Sequence, residues 1–142
     1  MSRFLDPLRL ELVKPGGWRL LAILRYESAL LTRTVTVPCG FATDLASVPR
    51  LPLVYWSVGA RATVAAVVHD FLYQTHWAGD VKLERSRCDA VFYEAMVVAN
   101  DPAREWQRTA MWAGVRVGGE WPYQHGRVRF LEFRNHLVCP LL

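Results

Sequence analysis

A histidine and an aspartate stand side by side in Val64-Ala65-Ala66-Val67-Val68-His69-Asp70-Phe71-Leu72-Tyr73. Every other residue of that run is apolar or aromatic, so the segment belongs in a core. Burying two ionisable groups there is costly unless partners or a metal offset them. Val64, Val67, Val68, Phe71 and Leu72 recur at the spacing of one buried helical face. The spacing predicts a helix that opens at Ser57 or Gly59, runs to about Thr75 and is broken by Gly79. Any fold of this chain has to provide for the doublet.

Candidate partners follow from helix geometry. Ala62, Ala66, His69 and Tyr73 fall on one side of the helix, in steps of three and four residues. A second helix is expected over 83–99, with Asp89 and Tyr93 one turn apart beside Phe92 and Met96. The short connection implies an antiparallel pair, in which Asp89 reaches His69, Tyr73 or both. Neighbouring helical positions point about 100° apart. While His69 faces the second helix, Asp70 therefore points toward a different object, and the loop 40–47 with Gly40 and Asp44 is the candidate.

The rest of the chain sorts into simpler pieces. Residues 8–13 and 31–37 alternate as strands do, and Lys14-Pro15-Gly16-Gly17 supplies a turn between the first of them and the apolar run 18–26. That run reads as a strand or as a short helix. Residues 38–58 are punctuated by Pro and Gly and read as a loop. Asp101 and Pro102 cap and open a third helix that ends at Gly118-Gly119, with Trp106, Ala110, Ala113 and Val117 as its packing face. The expected class is α+β in a single domain over 1–142: a small N-terminal antiparallel sheet (1–37), the loop, a helical part over 59–119 and a tail over 120–142.

Composition excludes several function classes. With 142 residues, 52% of them hydrophobic, the chain is long and apolar enough for a real core. The net charge of +4 is spread over scattered arginines, so nucleic acid is not an expected partner, while an anionic membrane surface is compatible. Three widely spaced cysteines, Cys39, Cys88 and Cys139, form no Cys-x-x-Cys pair and read as free thiols of a reducing cytoplasm. Residues 1–10 lack the apolar core of a signal peptide, and no stretch approaches the roughly 18 apolar residues of a transmembrane helix. The host cytoplasm is the expected place of synthesis.

A carboxylate that accepts the Nδ1 proton of a histidine fixes its tautomer and leaves Nε2 as a general base. Asp70 would remain for a hard cation such as calcium, which takes six to eight oxygens and accepts backbone carbonyls from a Gly-containing loop. Such an ion polarises an ester carbonyl while the histidine activates water. Other hydrolase patterns fit less well. Metal-dependent HD phosphohydrolases need a histidine upstream of the doublet, and His69 is the first in the chain. No Gly-x-Ser-x-Gly elbow accompanies Ser47 or Ser57, and Asp89 would raise the thiol pKa of its neighbour Cys88. His76, His125 and His136 lack partners at ligand spacing and read as surface residues.

Two resemblances rest on these residues. Gly40-Phe41-x-Thr43-Asp44-Leu45-Ala46-Ser47-x-Pro49, His69-Asp70-x-Leu72-Tyr73 and Arg85-x-x-x-Asp89-x-x-Phe92 together resemble a phage and prophage family of unassigned function, over roughly residues 8–99. That likeness implies a viral origin and a place in the particle. His69-Asp70-x-x-Tyr73, followed by Cys88-Asp89 on a helix, is similar to the catalytic core of secreted and parvoviral phospholipases A2. It implies His69 as general base, Asp89 and Tyr73 as its hydrogen-bonded support, and Asp70 as calcium ligand with Asp44 and Gly40 of the loop. The glycine-rich calcium loop and the disulfide framework of that family are missing here. The expected function is a phage-encoded, calcium-dependent lipid-ester hydrolase acting on a phospholipid membrane. Its alternative is a non-enzymatic phage structural or tail-assembly protein, partnered by other phage proteins, in which the cluster is a buried packing network.

Overall fold

Alternation decides the N-terminal half. In β4 (Leu24–Ser28) the residues Leu24, Tyr26 and Ser28 point inward while Arg25 is exposed, and in β5 (Arg33–Val37) Val35 and Val37 are buried between exposed threonines. The two pair antiparallel, Tyr26 opposite Val35, and β1 (Arg3–Phe4) adds to the free edge of β4. A second antiparallel sheet holds β2 (Leu10–Lys14), β3 (Gly17–Leu20) and β6 (Ala42–Thr43) in the order β2-β3-β6. The apolar run 18–26 is thus two strands in different sheets rather than a helix. The computed structural model describes residues 1–15, 17–45, 63–99 and 105–125.

The class is α+β, with the sheets preceding the helices. Helix α1 (Thr63–Thr75) buries eight of its residues, among them Ala65, Ala66, Val67, Val68 and Leu72. It ends at His76, whose φ of 60° is the left-handed cap conformation usually given to glycine, and whose N–H donates to the Leu72 carbonyl at 2.8 Å. Gly79, also left-handed at φ 64°, serves instead the turn between β7 (Trp77–Ala78) and β8 (Val81–Lys82), a small hairpin that the sequence reading did not anticipate. Helix α2 (Arg85–Val98) returns against α1. Tyr73 meets Asp89 and His69 meets Phe92, so partners descend along α2 as the chain ascends α1, the signature of an antiparallel pair.

Helix α3 (Glu105–Gly118) packs on α2, and a fourth short helix, α4 (Glu120–His125), occupies the start of the stretch expected to be tail. The opening of α1 at Ser57 or Gly59 and the Asp101-Pro102 cap lie outside the described residues. One expectation is corrected. The buried face of α3 is Gln107, Met111 and Val115, not Trp106, Ala110, Ala113 and Val117. The helix carries two apolar faces, and the periodicity alone does not choose between them. The choice falls to Arg116, which reaches Asp89 of α2, and to its carbonyl, which accepts Arg85 Nη1 at 2.9 Å. No helix among the described residues is long and apolar enough to cross a membrane.

The sheet is fastened to α2 by one carboxylate. Glu94 Oε1 accepts Ser2 Oγ at 2.6 Å and the Leu30 N–H at 2.9 Å, while Oε2 accepts Tyr26 Oη at 2.9 Å and Ser28 Oγ at 2.6 Å. Burial works to raise the carboxyl's pKa, but these four donors outweigh it and hold it below its usual value. Glu94 therefore binds protons more weakly in the folded chain than in the unfolded one. Its contribution is complete above the ordinary glutamate pKa and is lost as pH falls through the lowered native value. Glu94→Ala is expected to destabilise the fold by about 3 kcal/mol, since it leaves inward donors without an acceptor. Glu94→Gln should cost less and flatten the acid limb. Urea unfolding across pH 2–6, a window set about the ordinary carboxyl pKa, checks both.

Candidate functional site

Helix α1 delivers His69 and Tyr73 to the same side one turn apart, and α2 delivers Asp89 between them. Small residues make this close approach possible, because Ala65 and Ala66 of α1 and Ala95 of α2 are fully buried. Asp89 Oδ1 accepts both His69 Nε2 at 3.0 Å and the Tyr73 hydroxyl. Its Oδ2 accepts Arg116 Nη1 at 3.0 Å. The His69 ring lies against Tyr73, with centroids 4.0 Å apart, and Phe92, 4.7 Å apart, which fixes its plane. His69 is 1% exposed and Asp89 0%, while the Arg116 side chain is 35% exposed. A surface guanidinium thus carries positive charge to a carboxylate in the core.

The electrostatics follow. Burial pushes the Asp89 carboxyl upward, but hydrogen bonds from His69, Tyr73 and Arg116 more than compensate, and its pKa lies below the ordinary value. Asp89 is ionised and can only accept, so His69 Nε2 carries the proton. Burial, and then the hydrogen bond to Asp89, raise the Tyr73 phenol, which stays protonated as a donor. The expected dyad is therefore present as a contact, with the ring reversed: Nε2 rather than Nδ1 faces the carboxylate. Nε2 is the ring atom farthest from the α1 backbone, so it is the one that meets a partner on a neighbouring helix. Any base chemistry at this ring belongs to Nδ1.

Asp70 turns away from this group, as the angular argument requires. It is buried, and its Oδ2 accepts the hydroxyl of Thr43, whose Oγ1 in turn accepts the Leu45 N–H at 3.0 Å. The doublet is thus split between α2 and the chain leaving β6. Asp44, by contrast, is exposed. Gly40 has φ 83° and gives its N–H to the Leu20 carbonyl at 2.8 Å, closing the turn that brings the chain back to β3. Among the described residues no group of three or more His, Cys, Asp or Glu is placed to hold a metal. Calcium takes six to eight oxygens, so Asp70, Asp44 and Gly40 would have to be joined by further oxygens to hold it. Residues 46–47 of the expected loop lie outside those described, as do Ser57, Ala62 and His136.

Several participants were not foreseen. Arg116 and Gly119 carried no sequence signal beyond type: one scattered arginine and one helix-ending glycine. A Cβ on Gly119 would lie 2.5 Å from Tyr73 Oη and 2.3 Å from the Val115 carbonyl, so only glycine lets the chain pass behind the tyrosine. Arg85 does not pair with a site carboxylate; it donates to the Arg116 carbonyl and lies 3.2 Å from Glu120. His76 is a buried residue rather than a surface one. It stacks on Tyr123 at 4.1 Å and its Nε2 lies 2.6 Å from the Tyr123 carbonyl. Cys88 is a buried free thiol pushed up to about 12 by burial and then by Asp89, which removes it as a nucleophile. Cys39 is disulfide-bonded, against the expectation of three free thiols.

Comparison with known proteins adds one relationship. Residues 18–115 match the family described as Protein of unknown function (DUF1353). The matched stretch takes in Thr43, His69, Asp70, Tyr73 and Asp89 and stops one residue short of Arg116. No curated protein and no solved structure matches the chain.

Removing a donor should be felt as acid sensitivity. The Asp89 contribution is present above the ordinary aspartate pKa and lost as pH falls through the lowered native value. Arg116→Met takes away one of the groups that lower it, so the acid unfolding midpoint should move to higher pH, with a loss of about 2 kcal/mol at neutral pH. Gly119→Ala should lower the melting temperature by displacing Tyr73. Unfolding followed by circular dichroism checks both. In native protein Cys88 should resist alkylation until denaturant is added, which mass spectrometry of the labelled chain reads directly.

Proposed function

The chain belongs to the DUF1353 family, and from that premise we propose that it is a phage-encoded hydrolase of lipid esters in which His69 is the general base. The observation that carries this reading is the Asp89 contact to His69 Nε2 at 3.0 Å, within a ring clamped by Tyr73 and Phe92. A base must keep one tautomer and one orientation through turnover, and a hydrogen-bonded carboxylate supplies both. In this reading Nδ1 takes a proton from water as its oxygen attacks the ester carbonyl. Asp89 holds the resulting imidazolium, and the same proton passes to the leaving alcohol. Arg116 shares the Asp89 charge, so the carboxylate orients the ring more than it charges it. The membrane substrate and the viral origin come from the resemblances, and no step of the reading runs through a metal.

A second reading has its own observation. At 1% exposure, His69 lies inside the packing rather than at its rim. A carboxylate with three donors is also what a satisfied core network looks like. On this reading the chain is a non-enzymatic phage structural or tail-assembly protein.

The test is release of fatty acid from phosphatidylglycerol and phosphatidylcholine vesicles, and of alcohol from a short-chain ester, by the purified full chain with calcium or with chelator. The hydrolase reading expects turnover that falls roughly 100-fold in His69→Gln, the scale of a lost general base. Tyr73→Phe keeps the ring packing and should fall about tenfold, with the melting curve recording what each change costs the fold. Folded wild-type protein without ester turnover in either condition, and variants that shift only the melting temperature, would leave the structural reading standing.

A further inference from the structure

The outer face of α3 is apolar. Trp106 is 56% exposed and Val117 87%, Ala113 is exposed between them, and Ala110 is half-buried beside it. These four residues recur in steps of four, three and four, so they form one stripe along the helix, opposite Met111 and Val115. We propose that this stripe is a homodimer interface, in which α3 packs antiparallel on α3 of a second copy of the chain.

The stripe complements itself. An antiparallel two-fold pairing about the middle of the helix sets Trp106 against Val117 of the partner subunit and Ala110 against Ala113 of the partner subunit. Bulk meets bulk at the two ends, and small meets small at the centre, where Gly114 is also half-buried. Small central residues let two helix backbones come to the near end of the usual separation of about 8–10 Å. Each contact occurs twice, as an isologous interface requires.

Charge points the same way. Glu105 stands in the first turn of α3 and Arg116 in the last. Eleven residues are close to three full turns, so both lie on one flank of the stripe. An antiparallel pair brings Glu105 of each copy toward Arg116 of the partner subunit, whose guanidinium remains partly exposed while it holds Asp89. The helix dipoles are opposed in the same arrangement. A lipid surface suits the stripe less well. Membrane-lying helices present long apolar side chains above a basic flank. Here the centre is flat, Thr109 interrupts it, and the flank carries one acid and one base beside the exposed Trp112.

Sedimentation velocity of the full chain over a concentration series tests this, beside vesicles of phosphatidylglycerol. Self-association to twice the monomer mass is expected. Ala113→Glu should weaken it by about tenfold or more with an unchanged circular dichroism spectrum, and so should Val117→Glu, read beside its melting curve because the adjoining Arg116 holds Asp89. Glu105→Lys should weaken it less, and added salt should reduce that difference. A monomer at every concentration overturns the proposal, as does a dimer indifferent to both glutamate variants. A monomer whose tryptophan emission shifts on the vesicles, and no longer shifts in Val117→Glu, assigns the stripe to lipid instead.

Discussion

The helical half depends on one buried carboxylate. Asp89 is completely withdrawn from solvent, and an ionised group there is tolerable only when donors replace its water. His69 and Tyr73 come from α1 and Arg116 from α3, so a single side chain of α2 ties three helices at one point. Apolar burial would hold these helices together in many relative rotations. The carboxylate selects one, because its donors reach it only when His69, Tyr73 and Arg116 all face inward at the right heights. This is the specifying role that a fully satisfied polar network can play in a core.

The same helix carries a second carboxylate with the complementary task. Glu94 follows Asp89 by five residues, which turns it about 140° around the axis. One therefore faces the helices and the other faces the sheet, where Glu94 gathers Ser2, Tyr26, Ser28 and the Leu30 N–H. Helix α2 acts as a spine with two polar fastenings, and its apolar residues Val91, Phe92, Ala95 and Met96 fill the space around them. Glutamate and aspartate are divided by reach. The longer side chain spans to strands and a turn that pack beside the helix, and the shorter one serves helices that lie against it.

Much of this was legible in the sequence, and the limits have physical causes. The strands of the first sheet alternate cleanly because one face is buried, and α1 announces itself because its core face is almost unbroken. His69 to Asp89 was readable because helix periodicity and a short connection together limit which side chains meet. The direction of Asp70 was readable for the same reason, and it does go to the chain around Thr43. Arg116 was not, since nothing in local pattern distinguishes an arginine that reaches into a core from the fourteen others in the chain. Glu94 is hidden in the same way, its partners lying more than sixty residues away in sequence. The ring reversal of His69 needed the actual direction of approach. The burial of His76 needed Tyr123, which sits in a stretch whose pattern predicts only a tail.

The misjudged face of α3 joins the core to the surface. By hydrophobicity alone, Trp106 and Val117 outrank Gln107 as residues to bury, yet Gln107 is inside and they are outside. Turning the helix to bury the tryptophan would swing Arg116 off Asp89 and leave an ionised carboxylate short of a donor. Rotation would bury Trp106 and Val117 only by exposing Met111 and Val115, so the apolar exchange is near even and the loss of about 2 kcal/mol at Asp89 decides. The electrostatic requirement wins, and the consequence appears on the other side of the helix as an uncovered apolar stripe. A polar centre in the core has thus dictated which apolar residues the protein offers outward. The candidate site and the candidate docking face are two results of the same rotation.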